Sequence, residues 1–196
     1  GREIYRKAPP IPEKVVTDSG KTLFTGQDIK DGQNVWQSMG GQEVGTIWGH
    51  GAYVAPDWSA DWLHREAIFI LDHWAKEETG KVFDKVDEET QAKLKARLKK
   101  ELRTNTYDPQ TGNIVVSELR ARAIADVSKH YTGLFTDDPA FAKHRDAYAI
   151  PENTIKDPVR MSQMNAFFFW TSWACTTNRP GQSITYTNNW PSEELV

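Results

Sequence analysis

Residues 40–65, GGQEVGTIWGHGAYVAPDWSADWLHR, constrain the fold more than any other stretch. Gly40, Gly41, Gly45, Gly49 and Gly51 stand beside Trp48, Trp58 and Trp62, with His50 and His64 among them. Glycine permits close approach of the backbone and positive φ, so glycines interleaved with indoles predict a loop shaped around something bulky. The character changes at Pro56-Asp57, where a capping aspartate predicts a helix start. The apolar positions that follow, Leu63, Ala67, Ile70, Leu71 and Trp74, fall on one helical face, and Gly80 ends it.

The rest of the chain is punctuated in the same way. Residues 1–13 hold Pro9, Pro10 and Pro12 and predict an extended arm. Asp18-Ser19-Gly20 between two apolar runs predicts a hairpin. Thr25 or Asp28 caps a helix through Val35, Trp36 and Met39 that stops at Gly40-Gly41. Asp87 caps another over 88–103, with Leu94, Leu98 and Leu102 four residues apart and its Lys and Arg on a solvated face. Asp108-Pro109 and Thr111-Gly112 predict a second hairpin. Ser117 opens a helix expected to end at Gly133, Pro139 a short one, and Asp157-Pro158 one carrying Met161, Met164, Phe167 and Phe168 toward Trp170 and Trp173. The reading is a mainly α single domain with two small hairpins, too sparse in strands for a parallel sheet.

Composition narrows the function. A net charge of −3 with mixed signs gives no phosphate-tracking stripe and no nucleic-acid partner. Cys175 is the only cysteine, which excludes an internal disulfide, a cysteine-built zinc site and a Cys-Xaa-Xaa-Cys-His haem attachment. It reads as a small buried hydrophobe. Aromatics make up 11% of the chain, eight of them Trp, which implies an aromatic core or a surface that a partner covers. The longest apolar cluster, AFFFW at 166–170, is far too short to span a bilayer. The chain starts at Gly1 without Met and reads as a piece of a longer protein.

No catalytic motif stands out. His64 and His73 are nine residues apart, off the i, i+4 spacing of helical zinc ligands, and both read as partly buried helix residues. His50 between two glycines reads as a loop residue without an obvious partner. There is no nucleophile elbow or phosphate loop, and no strand precedes Gly40-Gly41 as a dinucleotide fingerprint requires. The acidic pairs Glu88-Glu89 and Asp137-Asp138 sit at helix starts, where they offset the macrodipole.

Residues 40–65, together with FFFWTSWACTTNRPGQSITYTNNWP at 167–191, resemble the extracytoplasmic region of the quinol-dependent, single-chain bacterial nitric oxide reductases of the haem–copper oxidase superfamily. The resemblance covers nearly the whole chain. It implies a cytochrome c-like domain on the periplasmic face of the cytoplasmic membrane, inserted between the first two transmembrane helices, with a core at about 25–175 and an irregular membrane-proximal segment at 176–196. In the cytochrome c-dependent relatives, Cys-Xaa-Xaa-Cys-His is followed shortly by Gly-Xaa-Gly-Ala-Tyr. Here Gly49-His50-Gly51-Ala52-Tyr53 matches the second element, which places the attachment on residues 41–45. Gly41 and Val44 then stand at the cysteine positions and Gly45 at the axial histidine, so the resemblance implies a domain that has lost its haem c. Bulky aromatics are expected to fill the volume left there.

The resemblance also implies a role. The parent enzyme takes electrons from quinol, reduces two NO to N2O, and carries haem b, haem b3 and non-haem iron in its transmembrane catalytic region. This domain would cap that region of the same polypeptide without catalytic residues of its own. Backbone carbonyls of Gly51 and Tyr53 are candidate calcium ligands, with haem propionates and a carboxylate of the membrane part completing the shell. Trp58 or Trp62 with Trp170, Trp173 and Trp190 would form an exposed docking patch. Two rival readings remain: a freestanding module whose Trp residues line a concave small-ligand pocket, and an enzyme acting through His50 and His64.

Overall fold

A computed structural model describes residues 8–41, 45–48 and 57–188. Among these residues six α-helices carry the fold: α1 (Gly26–Ser38), α2 (Trp58–Thr79), α3 (Glu88–Arg103), α4 (Glu118–Phe135), α5 (Ala142–Tyr148) and α6 (Pro158–Thr176). Four strands, β1 (Lys14–Thr17), β2 (Thr22–Thr25), β3 (Tyr107–Asp108) and β4 (Asn113–Val116), form one small sheet. The mainly α class therefore holds.

The helices start where side chains can satisfy the first orphan amides. Thr25 and Asp28 form a reciprocal capping box, with Asp28 N–H donating to Thr25 Oγ1 at 3.1 Å and Thr25 N–H to Asp28 Oδ2 at 2.9 Å. Asp57, Asp87, Ser117 and Asp157 each accept from backbone amides of the turn they open. Gly80 closes α2 at φ 76°, a left-handed conformation that suits glycine.

Gly133 does not end α4. The helix runs on to Phe135, because Gly133 is a packing position: a β-carbon there would stand 2.4 Å from the Phe141 ring. The chain then satisfies the helix end from outside, as Asn153 N–H donates to Thr136 O at 2.8 Å and Ile155 N–H to Phe135 O at 3.1 Å.

Both hairpins form, but they do not stay separate. The strand order is β2-β1-β4-β3, and β1 pairs with β4 in parallel from Lys14↔Asn113 to Thr17↔Val116. The expectation of no parallel pairing is thus corrected. Val15, Ile114 and Val116 are buried, and pairing the strands turns their apolar positions onto one core.

Helix α6 is the axis of the molecule. From Met164 to Thr176 every residue is buried, so this helix is enclosed on all sides. α1, α2 and α4 pack around it. The approach between α1 and α6 is close: a β-carbon on Gly32 would lie 1.9 Å from the backbone oxygen of Gln163. A second apolar cluster joins Leu63, Ile70, Leu71 and Trp74 of α2 to Leu94, Leu98 and Leu102 of α3. Among the described residues no helix is long and apolar enough to cross a membrane.

Candidate functional site

The glycine-aromatic segment enters and leaves through two stems that are held together. Thr46 and Asp57 form an isolated parallel bridge, and Trp58 N–H donates to Thr46 O at 2.8 Å. A one-way chain of donors then ties the stems to α6. Trp48 N–H donates to Ser59 Oγ (3.3 Å), Ser59 Oγ to Thr171 Oγ1 (2.9 Å), and Thr171 Oγ1 to Phe168 O (2.9 Å). The Trp48 indole adds a bond of 2.7 Å to Thr171 O and packs its ring 5.7 Å from that of Trp170. Trp170 in turn donates to Pro10 O at 2.8 Å. Trp48 holds φ at 56°, a costly conformation for a bulky residue that persists only where its surroundings over-determine it.

The indoles are core, not surface. Trp58, Trp62 and Trp173 are fully buried, and Trp170 is only 9% exposed. The expected docking patch of Trp58, Trp62, Trp170 and Trp173 is therefore corrected; Trp190 lies outside the described residues. Trp58 stacks on Phe168 at 5.6 Å and meets Tyr131 and Phe135 edge-on, while Trp62 stacks on Tyr131 at 5.5 Å. These edge and face contacts consume the apolar rings within the chain's own core.

The candidate site residues divide in two. Gly41 and Gly45 are buried at the first stem. Val44, His50, Gly51 and Tyr53 lie outside the described residues. Gly41 adopts φ 54°, and no described atom lies within 4 Å of where its β-carbon would stand. His64 is exposed on α2 rather than partly buried, and half-buried His73 pairs with Glu77 at 2.9 Å.

Two polar constellations escaped the sequence reading. Glu66 and Arg120 form a buried ion pair between α2 and α4, with Arg120 Nε donating to Glu66 Oε1 at 2.7 Å and its guanidinium 5.5 Å from the Phe169 ring. A signal existed: both charges fall on the apolar faces of their helices, Glu66 beside Leu63, Ala67 and Ile70, and Arg120 beside Ala123 and Val127. The second is Tyr131, whose buried phenol donates to Asp61 while Asp61 also accepts from Arg65 Nε at 3.0 Å. Burial, then the Asp61 charge, holds the phenol well above its ordinary pKa. His130, next to it, is pushed down to about 4, chiefly by burial and then by the Arg65 charge. Among the described residues no group of three or more His, Cys, Asp or Glu is placed to hold a metal ion.

A family model described as the NorB cytochrome c-like domain of nitric oxide reductase matches residues 12–192. The chain belongs to that family. No curated protein matches it.

A haem of the c type needs two cysteine thioethers and an axial ligand. The residues of this family member do not fit that group. Its one cysteine, Cys175, is buried in the last turn of α6, where burial pushes the thiol up to about 12 despite a hydrogen bond with Thr187. Gly41 and Gly45, which the resemblance aligns with the attachment motif, carry no side chain at all.

Proposed function

We propose that this cytochrome c-like domain is the extracytoplasmic, haem-less cap of a quinol-dependent nitric oxide reductase. Its part in reducing two NO to N2O is structural: it covers the catalytic haem b, haem b3 and non-haem iron region of the same polypeptide and carries no electrons. The observation behind this reading is the fate of the only thiol. A domain whose one cysteine is buried inside α6 has no Cys-Xaa-Xaa-Cys-His site for attaching haem c. Without that haem, electrons from a soluble cytochrome find no relay here, and quinol oxidised within the membrane part supplies them instead.

What the described residues do is hold two stretches of the chain, 45–48 and 57–59, together on α6. The Thr46–Asp57 bridge, the Trp48–Thr171 bond and the Ser59–Thr171 hydroxyl pair fix both stems of residues 49–56 against α6. In the assembled enzyme the carbonyls of Gly51 and Tyr53 would contribute to a calcium site completed by haem propionates and a carboxylate of the membrane part. The isolated chain supplies too few oxygens, so we expect weak calcium binding or none.

An absorbance spectrum before and after adding haemin, oxidised and reduced, tests the reading. No Soret band, and none acquired, is the expected result, together with no NO consumption by the chain alone. A tight low-spin haem spectrum would restore an electron-transfer role and overturn it. The rival small-ligand module is disfavoured by the burial of Trp58, Trp62 and Trp173 within the core.

A further inference from the structure

We propose that the cavity between the C-terminal end of α3 and the turn that follows α6 binds an organic carboxylate, with Arg179 as its counter-cation. Arg179 is only 7% exposed. Its Nη2 donates to two neutral acceptors, Tyr186 O at 3.0 Å and Asn188 Oδ1 at 3.4 Å. Its Nε–H is buried without a partner. A guanidinium offers five N–H donors and stays charged in a protein, and a buried charge is costly unless an opposite charge meets it. Among the described residues, no hydrogen bond of this side chain reaches a carboxylate. The fold has therefore buried a cation and left its charge and a donor unmatched.

The position is built by the fold. Residues 177–186 double back after α6: Tyr186 N–H donates to Thr177 O at 3.2 Å, Arg179 N–H to Ile184 O at 2.8 Å, and Gly181 takes φ 69° at the bend. That turn is tied to the end of α3, since Asn178 N–H donates to Arg103 O at 2.9 Å and Asn105 Nδ2 to Asn178 O at 2.9 Å. Arg179 lines the cavity they form, whose volume of about 650 Å³ suits a small organic ligand. None of the described residues lining it is acidic. Arg103 lines it too, but its guanidinium is engaged by Asn178 Oδ1 and Ser183 O, so the unmatched charge is counted from Arg179 alone.

The walls choose among anions. Tyr186 Oη accepts from Asn105 Nδ2 at 2.9 Å, which leaves its own hydrogen to donate, and its ring is held 5.4 Å from that of Trp173. Burial raises this phenol above its ordinary pKa, so it remains a donor. One cation and one phenol match the single charge of a carboxylate, whereas a phosphate dianion brings more charge than one guanidinium neutralises. Tyr107, Pro109 and Pro180 add apolar ring surface, which receives the body of an organic acid and gains nothing from a small inorganic ion.

The test is titration of the chain with benzoate, followed by proton–nitrogen correlation spectra of backbone amides and arginine Nε–H groups. Saturable shifts of the Arg179 Nε–H and of the Gln182 and Tyr186 amides are expected. Benzamide, of the same shape without the charge, should bind about tenfold more weakly or worse, and Tyr186→Phe should weaken benzoate about tenfold. Lys30→Gln, on an exposed position of α1, should change nothing. Arg179→Gln should abolish binding; should that variant fail to fold, the unmodified chain and Tyr186→Phe still decide. No saturable shift at these resonances, benzamide equal to benzoate, inorganic phosphate tighter than benzoate, or equal losses in Tyr186→Phe and Lys30→Gln would each overturn the proposal. None of these readouts depends on the chain being a cap on a membrane enzyme, which the haemin spectrum tests.

Discussion

At the scale of single residues, the buried pair Glu66–Arg120 sets the sharpest expectation. Glu66→Gln leaves the Arg120 cation buried without its counter-charge, and urea unfolding should show a loss of about 3–5 kcal/mol. Replacing both with apolar residues of similar volume should recover most of that loss. His130 gives a second expectation. Its folded pKa of about 4 lies below the ordinary histidine value of 6.5, so between those values the unfolded chain binds the proton and the folded chain does not. Stability should therefore fall as pH drops from 6.5 toward 4, by about 1–2 kcal/mol from this residue after discounting its partial exposure. His130→Gln should flatten that part of the thermal-melting profile relative to the parent chain; an unchanged slope would remove His130 from the account. Neither residue announced itself by motif. Glu66 could have been found as a charge on an apolar stripe, but its partner, 54 positions away, belongs to another helix.

At the scale of elements, the caps were legible because capping is local chemistry. Thr25, Asp57, Asp87, Ser117 and Asp157 each act within one turn of their own helix. The two interior glycines were not legible, because what they accommodate lies elsewhere in the chain. Gly133 looked like a helix stop and is instead the seat of the Phe141 ring. Gly32 lets α1 lie against the backbone of α6. Gly32→Ala should improve intrinsic helix propensity by up to about 1 kcal/mol and nevertheless destabilise the protein by about 3 kcal/mol or more, because the β-carbon would collide with backbone rather than with a movable side chain. Chemical denaturation decides the sign. A neutral or stabilised variant would mean that the two helices part at little cost.

At the scale of the whole molecule, the burial of the indoles predicts the spectroscopy. Acrylamide should quench most of the tryptophan fluorescence weakly, because Trp36, Trp58, Trp62, Trp74, Trp170 and Trp173 are all at most 9% exposed. Strong quenching across the emission band would contradict this core and revive the tryptophan-lined pocket. The same burial explains why the sequence misjudged these residues. Apolar content states how much surface must be hidden, but not whether the chain hides it by itself or a partner does. The sequence by itself determined the helical class, the helix starts, the two hairpins, the family resemblance and the absence of a Cys-Xaa-Xaa-Cys-His motif. Each of those follows from neighbouring residues, or from the presence of a single cysteine anywhere in the chain. Only the tertiary structure decided that β1 and β4 join the hairpins in parallel and that Glu66 meets Arg120. It also decided that Trp48 is anchored to Thr171. Those are contacts between segments far apart in the sequence, and they are selected by how much apolar surface and how many buried polar groups the whole arrangement satisfies at once.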